Sequence, residues 1–311
     1  MAELLSHLGA SDVELGAAIA AARARIESAP PEMGSHDELH ELLDHWVDCD
    51  LGRWMLVHRG WNAYWTRYCI SYPERIASGE PIPSNPVERF FLSRSVQVVA
   101  TQQRFAHFTS LLGTLLTPGV SALSVPCGVM DDLLTAPGAE QCGALVGADL
   151  DPASIELAMV NSRQRGLAER AIFVEADAWQ LADPHSVRGD AERFAALCNA
   201  GFDVVTSNGL NIYVAEDGDV VALYRSFASV MSNGGHLVVS ALTPPESWDL
   251  SGVDPADVLT TRQLTFINDV KWANPRTVEL TIAQLESASL EVTDVLYDDA
   301  RAFPTFLAIR R

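Results

Sequence analysis

The chain has 311 residues, with 41 Asp and Glu against 21 Lys and Arg, a formal net charge of −20 at pH 7. At 48% hydrophobic and 20% charged residues it carries enough apolar surface for a sizeable core, which excludes wholesale disorder. The acidity argues against a nucleic-acid partner, because binding phosphates takes a positive surface, and no apolar run reaches the ~18 residues that a membrane span needs. The five cysteines, Cys49, Cys69, Cys127, Cys142 and Cys198, are odd in number and never fall at C-x-x-C spacing. They suggest neither a disulfide framework nor a zinc site, and they fit the reduced thiols of a cytoplasmic protein. The opening MAELLSHLGA lacks the basic stretch and apolar run of a signal peptide.

Residues 1–118 read as helices. Ser11-x-x-Glu14 and Ser35-x-x-Glu38 each have capping-box form. The first opens a helix to about Ser28, closed by Pro30-Pro31. The second opens one that can run to about His58, with Leu39, Leu42, Leu43, Trp46 and Val47 at helical spacing. GEPIPSNP at 79–86 is a loop. Val87, Phe91, Val98, Phe105, Phe108, Leu112 and Leu115 then predict one long amphipathic helix, ended by Thr117-Pro118-Gly119.

From Ala122 onward short apolar runs alternate with helical patterns. Strands are predicted at 122–126, 144–150, 171–175, 202–206 and 236–242, with helices at 152–165 and 217–231. Such alternation means βαβ units and a parallel sheet covered on both faces. The last two strands, 290–296 and 305–309, are joined by a loop too short for a parallel crossover, so the final strand should be antiparallel.

In an open parallel sheet the ligand lies outside the carboxyl ends of the strands, where the strand order reverses. Four strand ends carry Gly or polar residues. The first is Ser124-Val125-Pro126-Cys127-Gly128-Val129-Met130, where Gly128 lets a ligand approach the backbone or simply makes a turn. The second ends in Asp149, 21 residues on, spaced as a carboxylate that accepts both ribose hydroxyls of a nucleoside; a plain turn or helix-cap role stays open, with Asp151-Pro152 opening the next helix. After the third come Asp177, Ala178 and Trp179, which could accept from an adenine amino group and flank its ring, although a tryptophan there can equally be core. After the fourth come Ser207-Asn208-Gly209-Leu210-Asn211-Ile212-Tyr213, in line with the reacting end of such a ligand.

Together these motifs resemble the class I S-adenosylmethionine-dependent methyltransferases over about residues 119–311. SVPCGVM stands for the Gly-rich first motif, Asp149 for the ribose-binding acid, Leu150 for the apolar residue on the adenine, and Asp177 for the adenine-amino partner. Phe202-Asp203-Val204-Val205 and the turn Asn233-Gly234-Gly235 match further motifs, and 303–309 matches the reversed last strand. The resemblance implies a Rossmann-like, mostly parallel seven-stranded sheet with an antiparallel last strand, bearing an N-terminal helical cap. It implies S-adenosyl-L-methionine as cofactor, held by Pro126, Cys127, Gly128, Asp149, Leu150, Asp177, Ala178, Trp179 and Asn208. Ser124 departs from the family's acidic residue, and Pro126 and Met130 stand where glycine is usual. That lessens the expected recognition of the methionyl amino group and leaves a binding protein with weakened catalysis as an alternative. A nicotinamide-dependent oxidoreductase shares the Gly turn and acid, but G-x-G-x-x-G is missing.

The family's Asn-Pro-Pro-Tyr form, used on nucleobases and amides, is absent after the fourth strand. With the acidity, this points to O- or N-methylation of a small organic acceptor, with no nucleic acid and no membrane partner. Asn208, Asn211, Tyr213 and Tyr64 are the candidate catalytic residues. Tyr64 and Trp65 belong to an aromatic segment that also holds Trp54, Trp61 and Tyr68, which is either core or the wall of an acceptor pocket completed by the 1–118 cap. His36 and His40, at i and i+4, lack a third ligand, so no metal is expected. The oligomeric state stays open.

Overall fold

The computed structural model describes residues 11–270 and 274–311. Both capping boxes form: the Ser11 and Ser35 hydroxyls accept from the Glu14 and Glu38 amides, and each glutamate accepts from the serine N–H at 2.8 Å. They open α1 (Asp12–Ile26) and α2 (His36–Val47). The helix expected from Ser35 to about His58 is two helices, because Cys49 is extended and caps α3 (Asp50–His58), its sulfur accepting from Gly52 N at 3.4 Å. There follow α4 (Ala63–Ile70), α5 (Tyr72–Ala77), α6 (Pro86–Ser93) and α7 (Val96–Leu115). The long helix expected from Val87 is likewise divided, since Arg94 leaves the helical region at φ −134°.

The alternating half runs β1 (Ser121–Ser124), α8 (Asp131–Thr135), β2 (Ala144–Asp149), α9 (Pro152–Gln164), β3 (Ala171–Glu175), β4 (Arg188–Gly189), α10 (Ala191–Ala200), β5 (Phe202–Ser207), α11 (Asp217–Ser229) and β6 (Met231–Ser240). After it come α12 (Pro255–Asn268), α13 (Val278–Glu286), β7 (Leu290–Leu296) and β8 (Thr305–Arg310). The sheet order is β4-β3-β2-β1-β5-β6-β8-β7. The pairs from β3 through β6 are parallel, and β8 is antiparallel to both neighbours. The sheet has eight strands where seven were expected; the added one is the two-residue β4, antiparallel on the edge of β3. The chain steps outward from β1 to β3, then returns to the other side of β1 for β5 and β6, so the strand order reverses between β1 and β5.

Alternation along each strand sends its residues to two cores. Leu123, Val146, Val205, Leu237 and Phe306 pack with Phe194, Leu223, Tyr224, Phe227 and Leu285 on one face. Ala122, Leu145, Val204 and Val238 pack with Phe108, Leu112, Leu133 and Ala158 on the other.

The chain divides into two compact units, a sheet unit of 103–248 and 274–311 and a helical unit whose described residues are 11–102 and 249–270. The dividing line falls inside α7, not at residue 118, and α12 belongs to the helical unit. There Leu264 and Ile267 join Ile26, Leu39, Leu43, Trp46, Leu51 and Phe91 in one core, and Trp46 Nε1 donates to Asn268 Oδ1 at 2.9 Å. The aromatic segment packs on itself and on that core: Trp65 meets Trp54, Tyr64 and Tyr68, Trp61 meets Phe91, and the Tyr68 hydroxyl donates to Glu88 at 2.9 Å. His40 and His36 both lean on Glu27, at 2.8 and 3.7 Å. Among the described residues no helix is long and apolar enough to cross a membrane, and no group of three or more His, Cys, Asp or Glu is placed to hold a metal.

Candidate functional site at the strand ends

Asp149 ends β2, is 7% exposed, and uses one oxygen for each of two backbone donors: Oδ2 accepts from Gly128 N at 2.9 Å and Oδ1 from Asp151 N at 3.0 Å. Each oxygen keeps acceptor capacity for a hydroxyl. Burial raises its pKa, and the two N–H donors oppose the rise. The sequence spacing thus closes in space: the Gly128 turn after β1 and the acid after β2 are bonded directly.

The turn departs from a Gly-rich loop in a compensated way. Gly128 and Met130 both have left-handed backbones, at φ 51° and 59°. Met130 accepts that conformation, which costs a non-glycine residue roughly 1–2 kcal/mol. Its side chain is fully buried, against Gly147 of β2, where a Cβ would lie 3.1 Å from the Met130 sulfur and from Cys127 Sγ. Pro126 follows a cis Val125–Pro126 bond, and Cys127 is a buried thiol held well above its ordinary pKa by burial.

Leu150 is 46% exposed beside Asp149, an apolar side chain open to a ligand. Asp177 caps its own turn by accepting from Trp179 N at 3.0 Å, Ala178 is buried, and Trp179 is partly buried with its indole N–H donating to Asp219 O at 2.9 Å. Trp179 is therefore both core wall and turn anchor.

After β5, Asn208 has its Oδ1 buried with no hydrogen-bond partner. Asn211 turns inward, its amide donating to the Tyr224 hydroxyl at 3.1 Å, with Oδ1 again unpartnered. Tyr213 is 40% exposed overall, yet burial around its hydroxyl raises its pKa and nearby Arg104 pulls it back. Tyr64 lies half-exposed on α4, in the helical unit.

Three residues of the sheet unit carry no sequence signal. Arg276 threads the loop after β5, with Nε on Asp217 at 2.8 Å and its terminal nitrogens on Asn211 O and Val214 O at 3.0 and 2.7 Å. Asp132, from α8, accepts from the hydroxyls of Ser124 at 2.9 Å and Thr206 at 3.0 Å, joining the ends of β1 and β5. Burial pushes it up to about 6 against the pull of those hydrogen bonds. Arg104 is 7% exposed and reaches the ends of β5 and β6. A cavity of about 320 Å³ lined by Arg225, Ser229, Ser287 and Arg310 lies at the opposite end of the strands and takes no part in this arrangement.

No family model matches the sequence, and no curated protein matches it. Among solved structures, that of a "possible exported protein" from Bordetella parapertussis is 35% identical, with 97% of each chain covered and a TM-score of 0.82. The chain belongs to the same family as that protein. Magnesium protoporphyrin IX methyltransferase from Synechocystis PCC 6803, with bound SAH, is 13% identical over 80% of this chain and 99% of its own, at a TM-score of 0.49. The strand order and reversed β8 are those of the class I S-adenosylmethionine-dependent methyltransferase fold, as the motif resemblance implies.

Proposed function

We propose that the protein is an S-adenosylmethionine-dependent methyltransferase acting at oxygen or nitrogen of a small organic acceptor. The observation that carries this reading is the buried Asp149 carboxylate, bonded to Gly128 N at the point where the strand order reverses and with acceptor capacity left on both oxygens. The residues fit the cofactor: Asp149 would take the ribose hydroxyls, exposed Leu150 the adenine face, and Asp177 with Ala178 the adenine edge. Pro126, Cys127 and Gly128 would pass the methionyl part towards Asn208. When bound, the cofactor supplies a methyl group on a sulfonium, for which alignment with the acceptor is the main catalytic requirement. Asn208, with a buried carbonyl oxygen that lacks a partner, is suited to orient the acceptor's hydrogen, and Tyr213 and Asn211 shape the same loop. The −20 net charge supports a small molecule over a nucleic acid, and five free thiols fit a cytoplasmic location.

Calorimetry with S-adenosylmethionine tests the reading. Loss of a buried carboxylate that pairs two hydroxyls costs on the order of 1–3 kcal/mol, so Asp149→Ala should weaken binding roughly ten- to a hundredfold. Unchanged affinity in D149A, or binding of NAD in preference, would sink the assignment. Labelled S-adenosylmethionine with an extract of the host should then yield a labelled small product.

A further inference from the structure

Among the described residues of the sheet unit, Arg104 is the buried arginine with an unpartnered nitrogen. It lies on α7 beyond the dividing line and is more than nine-tenths buried. Its Nε is buried without a hydrogen-bond partner, and one terminal nitrogen reaches Ser240 Oγ only at 3.5 Å. Among the described residues no carboxylate oxygen comes within the 4.0 Å of an ion pair with it. The acidic groups that its charge feels are the Tyr213 phenol and then Asp298, and Asp298 is itself buried and occupied by the Ala302 and Phe303 amides at 3.1 and 2.6 Å. The guanidinium carbon sits 4.8 Å over the Phe303 ring, which fixes the plane of its donors. A buried cation left this short of acceptors is costly, and native interiors seldom tolerate an orphaned buried donor.

Its surroundings say what is missing. A Cβ placed on Gly209 would lie 3.3 Å from an Arg104 terminal nitrogen, so the guanidinium abuts the loop after β5, next to Asn208. The two orphans are complementary: a planar cationic donor and, one residue from that contact, an amide oxygen with nothing to accept. A molecule bearing a carboxylate and an O–H or N–H would satisfy both. Arg104 touches the ends of β5 and β6, whereas Asp149 ends β2. With β1 between, that is two to three strand spacings of roughly 4.8 Å, on the far side of Asn208 from the ribose position. The anion is therefore placed on the acceptor side. Arg276, the other buried guanidinium of this loop, is consumed by Asp217 and four backbone carbonyls, so among the described residues one cation is offered, which suits a carboxylate better than a phosphate dianion.

We propose that Arg104 receives the carboxylate of the methyl acceptor, a small hydroxy- or amino-carboxylic acid whose hydroxyl or amine faces Asn208. This rests on the methyltransferase reading above. The test is calorimetry on the full chain saturated with S-adenosylhomocysteine, using salicylate, anthranilate and glycolate as probes beside their amides and inorganic phosphate. At least one acid should bind about tenfold or more tighter than its amide, the worth of a hydrogen-bonded charge. In R104Q that preference should vanish, in R104K part of it should survive, and the affinity for S-adenosylhomocysteine should stay within about twofold in both. Equal binding of every acid and its amide by the wild type overturns the site, as does phosphate binding as tightly as the best acid. An R104Q variant that loses S-adenosylhomocysteine as strongly as the acid assigns the guanidinium to the cofactor's own carboxylate and overturns it too. If R104Q does not fold, the wild-type comparison of acid and amide decides. If S-adenosylhomocysteine does not bind the wild type, the methyltransferase reading fails, and the same comparison without it still decides on Arg104.

Discussion

Asp132 restores a carboxylate to the end of β1, where position 124 holds serine. It does so from eight residues downstream, because α8 starts directly after the Met130 turn and folds back over the strand. The Ser124 and Thr206 hydroxyls then point at a shared acid. The constellation carries a pH signature. Burial raises Asp132 from 3.8 to about 6, so the folded chain holds this proton more tightly than the unfolded chain. The stability that follows is fully present below about pH 4 and is lost as the pH rises through about 6. At about 1.4 kcal/mol per pK unit, the window amounts to on the order of 3 kcal/mol. Asp132→Asn should remove that slope. Urea unfolding at pH 4, 5, 6 and 7 should show the wild type losing ground to D132N across the window, and parallel profiles would refute the shift.

At the scale of elements, the two helix breaks show how local geometry overrides a continuous apolar pattern. Between α2 and α3 the chain turns so tightly that a Cβ on Gly52 would lie 1.8 Å from the Trp46 carbonyl oxygen. The overlap is with backbone, so no rotamer change relieves it. Gly52→Ala should push α3 away from α2 and cost about 2–3 kcal/mol, at the upper end of ordinary overpacking. A thermal melt of G52A within one degree of wild type would show that the approach is not as close. The hydrophobic spacing of Leu39 to Val47 continues without a step into α3, so periodicity by itself did not mark this break.

At the scale of the molecule, the helical unit is assembled from two separated stretches of chain. Without α12, a fragment of residues 1–118 lacks Leu264 and Ile267 from its core and leaves the Trp46 indole N–H without Asn268. Burial of each aliphatic side chain is worth roughly 1.5–3 kcal/mol, a large share of a small unit's stability. Such a fragment should melt without a cooperative transition in circular dichroism, and a sharp transition would show that α12 is dispensable. The sheet unit has a core on each face of its sheet, and it alone holds Asp149, Asp132, Arg104 and Asn208.

The alternation of strands and helices, the reversed final strand and the placing of Gly128 and Asp149 at the ends of β1 and β2 were legible in the sequence. Each depends on local periodicity or on a spacing of about 20 residues within one βαβ unit, which the chain cannot satisfy in many ways. The short β4 edge, α10, α12 and α13 escaped that reading, being either too brief or too weakly patterned. What tertiary structure alone decided is which groups meet across the sheet. Arg104 meets residues 209, 240 and 303, and Asp132 meets Thr206, only because the parallel strands end, and the antiparallel β8 begins, at one end of the sheet. Lone arginines and aspartates are common in any sequence; burial with an unpartnered Nε, which singles out Arg104, exists only once the chain is packed.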